Sequence, residues 1–205
     1  MNGGTTLRDR KKKQTRIALC RAALTLAAER GLDNVTVEDI STTVGVSPRT
    51  FFNYFGSKEE ALVGPGEREV GPRVRDRIVA QPAEVGPCDA VKAAVLAEVA
   101  EELADDRDLW LLRMRVVQQH PVLLARLFAG GEVVERHVVA GIADRVGLPA
   151  TDLYPMLLAA AAGSASRVAF ARWAGSEQDA ERPFESLLAE SFDLLSAGLA
   201  TPPSS

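Results

Sequence analysis

Two short helix-forming segments, each opened by a hydroxyl residue and parted by one glycine, fall within residues 36–55. Thr36 stands where a helix N-cap is wanted, and Asp39 three residues on completes an S/T-x-x-D/E capping pattern, so the spacing predicts a helix over Val37–Val44. Ser47 caps a second helix whose first position is Pro48, where a missing N–H costs nothing; this helix is expected to end near Phe55-Gly56. Gly45 between them supplies the positive φ that a tight turn between helices needs. Ile40, Val44, Val46, Phe51 and Phe55 are placed to close a small core under the pair. That leaves Arg49, Thr50, Asn53 and Tyr54 on the outer face of the second helix. A helix of this kind fits a DNA major groove, where arginine matches the O6 and N7 of guanine and Asn or Tyr can donate to phosphate oxygens.

The rest of the chain repeats its apolar residues with a helical period, and alternating strand patterns are absent, so the expected fold class is all-α. Residues 1–10 read as a disordered basic tail and 201–205 as a second disordered tail. A first helix is expected from about Lys11 to Arg30, with Ile17, Cys20, Leu24 and Ala27 as its apolar stripe and Gly31 as its stop. Ser57 caps a fourth helix beginning at Lys58, which Gly64-Pro65-Gly66 interrupts, and Gly71-Pro72 and Gln81-Pro82 break up the stretch as far as Pro87. Further helices are expected over 89–104, 107–119, 121–146, 151–174 and 182–199. The expected domains are a helix-turn-helix DNA-binding head over 11–62 and a larger helical ligand-binding and dimerisation domain over 63–200.

The net charge of −4 speaks against nucleic acid only until it is divided along the chain. Residues 1–63 hold ten Lys/Arg against seven Asp/Glu, a net of +3, which leaves −7 on the remainder. A basic head on an acidic body suits a chain whose head alone meets a polyanion, although a solvated tail gives the same balance. The two cysteines, Cys20 and Cys88, lie far apart and outside any metal-binding spacing, so neither a zinc cluster nor a disulfide framework is expected. Cys88, in a Gly-Pro-Cys-Asp loop, admits a redox role or none. The start of the chain has no apolar signal region, and the longest uncharged stretch, Leu153 to Ser166, is too short to span a bilayer, so a cytoplasmic protein without membrane contact is expected.

The segment Thr36–Lys58 resembles the tetracycline-repressor (TetR) family, with its pattern T-V-x-x-I-A-x-x-A-G-V-S-x-x-T-x-Y/F-x-Y/H-F-x-x-K-x-x-L. The match extends from about Arg16 to Leu62 and includes Leu26-Ala27-Ala28-Glu29-Arg30-Gly31, similar to the family's L-x-A-E-x-G ending of the first helix. Ser41 and Val44 replace usual alanines, and Phe52 stands where a tyrosine often touches phosphate, which leaves that contact to Tyr54 and Lys58. The resemblance implies double-stranded DNA held by Thr36, Ser47, Pro48, Arg49, Thr50, Asn53, Tyr54 and Lys58 at a near-palindromic operator. It also implies a homodimer built from the last two helices, where Ala159 and Gly163 lie in a run of small residues and Phe184, Leu188 and Leu195 form a stripe. Asp108–Pro121 and the apolar residues after it are similar to members whose C-terminal domain takes acyl-CoA-like ligands. Trp110, Met114, Val117 and Phe128 would line a cavity for a small hydrophobic, acyl-type effector.

A helical-bundle enzyme is the rival class. A di-iron site needs Glu-x-x-His pairs, yet Val117 and Val134 stand three residues before His120 and His137. No H-E-x-x-H, G-x-S-x-G or phosphate-loop pattern occurs, so no catalytic residue, metal or cofactor is expected. An architectural DNA binder that ignores ligands would have no use for the large second domain. The expectation is a ligand-responsive transcriptional repressor whose operator, effector and target genes the sequence does not identify.

Overall fold

A computed structural model describes residues 7–64, 67–175 and 182–198, which form nine α-helices and no strand. The helices are α1 (Leu7–Arg30), α2 (Val37–Val44), α3 (Pro48–Phe52), α4 (Lys58–Val63), α5 (Glu67–Ala80), α6 (Pro87–Gln119), α7 (Pro121–Val146), α8 (Leu153–Gly175) and α9 (Phe184–Ser196), with a 3-10 turn over Leu32–Asn34 after α1. The expected tails fall mostly outside the described residues, but Leu7–Arg10, assigned to the first tail, are the opening turn of α1.

The chain divides into two compact units. The first contains Met1–Gly64 and also Asp108–Leu127, the end of α6 and the start of α7. Its core joins Leu19 and Leu24 of α1, Ile40, Phe51, Phe55 and Leu62 to Leu109, Val116, Val117 and Leu123. Short α2, α3 and α4 cannot persist alone, because helices of this length are marginal in water. Their stability comes from the face each buries in this cluster. At roughly 1.5–3 kcal/mol for each fully buried large apolar side chain, Phe51, Phe55, Ile40 and Leu62 hold the three helices on α1.

The second unit contains Pro65–Arg107 and Phe128–Ser205. Here α5 runs through Gly71-Pro72, where the sequence suggested a broken stretch. Pro72 removes one intrahelical bond at a cost of about 3 kcal/mol. Burial of Val74 and Ile78 offsets that cost at roughly 1.5–3 kcal/mol each. Glu98 of α6 is buried and takes hydrogen bonds from both Arg73 and Arg77. Arg145 of α7 closes the loop after α5 by donating to the carbonyls of Gln81 (2.8 Å), Pro82 and Val85. The two helices expected over 89–104 and 107–119 are both present and meet within α6 at a kink at Asp106, whose φ of −167° and ψ of 86° are not helical.

Helices α8 and α9 pack on each other through Phe170, Trp173 and Phe184, whose rings meet at tilted and edge-on angles with centroids 5.9–6.4 Å apart. This packing divides the residues expected at a dimer surface by their burial within the protomer. Ala159, Phe184 and Leu188 are buried within the protomer, while Gly163 and Leu195 are half-buried, with Gly163 turned toward Glu135 and Arg167. Leu153, Leu157 and Val168 recur at helical spacing on the opposite side of α8 and are 79%, 63% and 62% exposed. Among the described residues α8 is also the one helix apolar and long enough to cross a membrane by composition, a property that its alanine run and this outer face produce together.

Candidate nucleic-acid interface

Helix α2 is set by a reciprocal cap. The Asp39 N–H donates to Thr36 Oγ1 at 3.1 Å, and the Thr36 N–H donates to Asp39 Oδ2 at 3.0 Å. The Thr36 hydroxyl donates to the same carboxylate oxygen at 2.6 Å. The two bonds that reach the carboxylate, from the Thr36 hydroxyl first and the Thr36 N–H second, hold the Asp39 carboxyl below its ordinary pKa, because each favours the charged form. At the other end Gly45 takes the left-handed conformation, φ 75° and ψ 31°, and its N–H closes the helix onto Ser41 and Thr42. The chain turns there and re-enters a helix within two residues.

Ser47 caps α3 by accepting from the Thr50 N–H at 3.1 Å, and its hydroxyl meets Thr50 Oγ1 at 2.9 Å. Pro48 fills the first helical position. The helix is shorter than its spacing suggested, ending at Phe52, but Tyr54 and Phe55 still donate to the Phe51 carbonyl, so the chain stays coiled through Phe55. Phe51 and Phe55 point into the core, with ring centroids 5.5 Å apart. That anchoring turns Ser47, Pro48, Arg49, Phe52 and Asn53 to solvent, with Thr50 and Tyr54 half-exposed beside them. Phe52 is 56% exposed, a large apolar ring among polar neighbours on this face.

Lys58, expected to contact phosphate from the head of α4, has partners inside the protein in this structure. Its ammonium turns inward and donates to the carbonyls of Leu32 and Val35, both at 2.8 Å. These carbonyls lie at the 3-10 turn between α1 and α2, so Lys58 ties the start of α4 to that turn. Ser41, at a position where alanine is usual in the resembled pattern, is fully buried and its hydroxyl has no hydrogen-bond partner.

The residues expected to line a ligand cavity do not share one environment. Trp110, Met114 and Val117 are buried in the first unit, and Val117 belongs to the same cluster as Leu24 and Phe55. Phe128 belongs to the second unit and is 38% exposed. The sequence reading passed over Arg113, which is also buried and lies between these positions on α6. Of the two histidines, His137 packs its ring over Gly71, in space that any side chain at that position would need.

The profile of the bacterial regulatory proteins of the tetR family matches residues 19–63, and that of the MftR C-terminal domain matches residues 85–200. The HTH-type transcriptional regulator TcmR of Streptomyces glaucescens is 34% identical over 176 residues, covering 83% of this chain and 77% of TcmR. MftR of Mycobacterium tuberculosis is 27% identical over 198 residues, 93% of each chain. The structure of FadR of Thermus thermophilus, a TetR-family transcriptional repressor in complex with lauroyl-CoA, matches with a TM-score of 0.53 at 23% identity, over 92% of this chain and 97% of FadR.

Proposed function

The chain belongs to the TetR family of DNA-binding transcriptional regulators, and we propose that it is a cytoplasmic homodimeric repressor that leaves its operator when a small hydrophobic, acyl-type ligand binds. The observation that carries this reading is the face of α3. The caps at Thr36 and Ser47 and the left-handed Gly45 hold Arg49, Thr50, Asn53 and Tyr54 outward while Phe51 and Phe55 fix the helix from below. Arg49 reads a guanine edge in the major groove, and Asn53 and Tyr54 bond the backbone phosphates. Thr36 and Ser47, whose hydroxyls hold the caps, place the two helix N-termini toward the phosphates.

Dimerisation uses the outer face of α8. Leu153, Leu157 and Val168 flank the small residues Ala160, Ala161 and Ser164, so two copies of the helix approach closely around a two-fold axis. The two-fold axis makes the operator near-palindromic, with half-sites about 34–36 Å apart or a multiple of that. Ligand release requires different affinities for two states of the protein. A hundredfold loss of operator affinity corresponds to a coupling of about 2.7 kcal/mol. Val117 supports such coupling, because volume added beside it displaces a core that also holds α1 and α3. Support for the acyl class comes from FadR, which was solved with lauroyl-CoA.

Hydroxyl-radical footprinting on DNA upstream of the chain's own gene and its neighbours tests the reading. Two protected patches on one face of the duplex, separated by about one helical turn, are expected. Uniform protection that salt removes without revealing a preferred sequence would count against it.

A further inference from the structure

Among the described residues three polar or charged side chains are buried: Ser41, Glu98 and Arg113. Glu98 has its counter-charges in Arg73 and Arg77. Arg113 has none. It is 7% exposed, its Nε has no hydrogen-bond partner, and no carboxylate of the described residues pairs with it. Along α6 it follows Leu109 by four residues and Trp110 by three, and it precedes Val116 by three and Val117 by four. Those spacings put the guanidinium on the same helix face as four buried apolar side chains, a register position that core packing fills with leucine or valine. Its polar neighbour, the Cys20 thiol, interacts with the guanidinium but supplies no negative charge, because burial pushes the thiol pKa up despite the nearby arginines.

A buried cation without a counter-charge is one of the most costly groups a core can hold, and it persists where an anion pairs with it. We propose that Arg113 anchors the anionic head of the effector, a carboxylate on an apolar body that lies beside Trp110 and Val117 within the first unit. This deepens the ligand-release reading above and rests on it. The chemistry follows from the donor set, since a guanidinium presents paired N–H groups that match a carboxylate in its own plane. The site is also wired to the head. The guanidinium lies 3.0–3.1 Å from where a Cβ of residue 64 would stand, against the glycine that ends α4 with φ 113°, and it neighbours Cys20 of α1. An anion that draws the guanidinium away changes the packing at both places, one on the helix that leaves the reading head and one on the helix beneath it.

The test uses the full chain carrying Trp173→Phe, which leaves Trp110 as its one tryptophan, a single turn from Arg113. Octanoate, decanoate and dodecanoate are titrated below their micelle concentrations against their uncharged methyl esters, with Trp110 emission as the readout. The acids are expected to bind saturably and at least about tenfold more tightly than the esters, a difference that Arg113→Gln abolishes and Arg113→Lys partly keeps. Melting of ligand-free Arg113→Met provides a second readout. Its midpoint is expected to equal or exceed that of the wild type, because an unpaired buried charge is gone; a large drop would show that the guanidinium is a structural group and overturn the proposal. Equal binding of acids and esters, acid binding indifferent to Arg113→Gln, or no binding by any acid of the series would overturn it as well. Operator release, measured on the same samples, separates this proposal from the reading beneath it. Acids that bind through Arg113 without loosening DNA strike only the release mechanism, whereas esters that release DNA from wild type and Arg113→Gln alike strike only the anchor.

Discussion

Replacing Lys58 by methionine separates two roles that the same residue can fill. In the structure its ammonium donates to the Leu32 and Val35 carbonyls at 2.8 Å in a half-buried setting, while the alternative role is a phosphate contact at the head of α4. A hydrogen bond from a charged group contributes about 1.5–3 kcal/mol. Two such bonds, reduced by the desolvation of the ammonium and by water reaching the freed carbonyls, leave a net of roughly 1–3 kcal/mol. Methionine keeps the length and apolar stem of the side chain, so little packing is lost. For a chain of this size the loss lowers the melting midpoint by roughly 3–10 °C. The melt is paired with operator affinity measured by fluorescence anisotropy from low to moderate salt. A structural tie predicts the lower midpoint, weaker binding to all duplexes and an unchanged slope of log affinity against log salt. A phosphate contact predicts an unchanged midpoint and a slope reduced by about 0.9 for each Lys58 that leaves the DNA. An unchanged midpoint in Lys58→Met would refute the structural role.

Ser41→Ala removes a buried hydroxyl that has no partner, and the variant should be more stable in urea unfolding by about 1–2 kcal/mol. The pKa of Asp39 is lowered in the folded chain, so its cap contributes stability above the ordinary carboxylate pKa of about 4, and that contribution is lost as pH falls through the lowered folded value. Melts of Asp39→Asn from neutral to strongly acidic pH should therefore lose part of the acid-side fall in stability seen in the wild type. Leu157→Glu puts a charge on the exposed face of α8 without touching the packing between α8 and α9; light scattering should find monomers that melt near the wild-type temperature and bind operator weakly.

The helix-turn-helix was legible because each of its constraints is local. Caps at Thr36 and Ser47, a proline at the first turn of α3 and a glycine forced into the left-handed region each act over no more than four residues, and all of them hold in the structure. Tertiary contacts decided the places where the reading departs. Burial of Val74 and Ile78 carries α5 through Pro72 against local propensity. The inward turn of Lys58 depends on carbonyls more than twenty residues away, which no spacing rule reaches. For α8 the sequence offered an apolar run on every side and no means of telling its two faces apart. Phe170 and Trp173 on one side and Leu153 and Leu157 on the other became distinguishable only when α9 was seen to cover the first. Arg113 carried a signal that was readable in principle, a charge at a core register position four residues after Leu109.

Selection of bound duplexes from a random pool, followed by affinities on the enriched and a scrambled sequence for wild type and Arg49→Ala, tests most directly that α3 reads DNA. Enrichment of a near-palindrome is expected, bound at least about a thousandfold more tightly than the scrambled duplex. Arg49→Ala should lose about 1–3 kcal/mol on the enriched sequence, little on the scrambled one, and its preference at one base step. Failure to enrich any sequence, or equal losses on both duplexes in Arg49→Ala, would contradict the assignment of α3 as the reading helix.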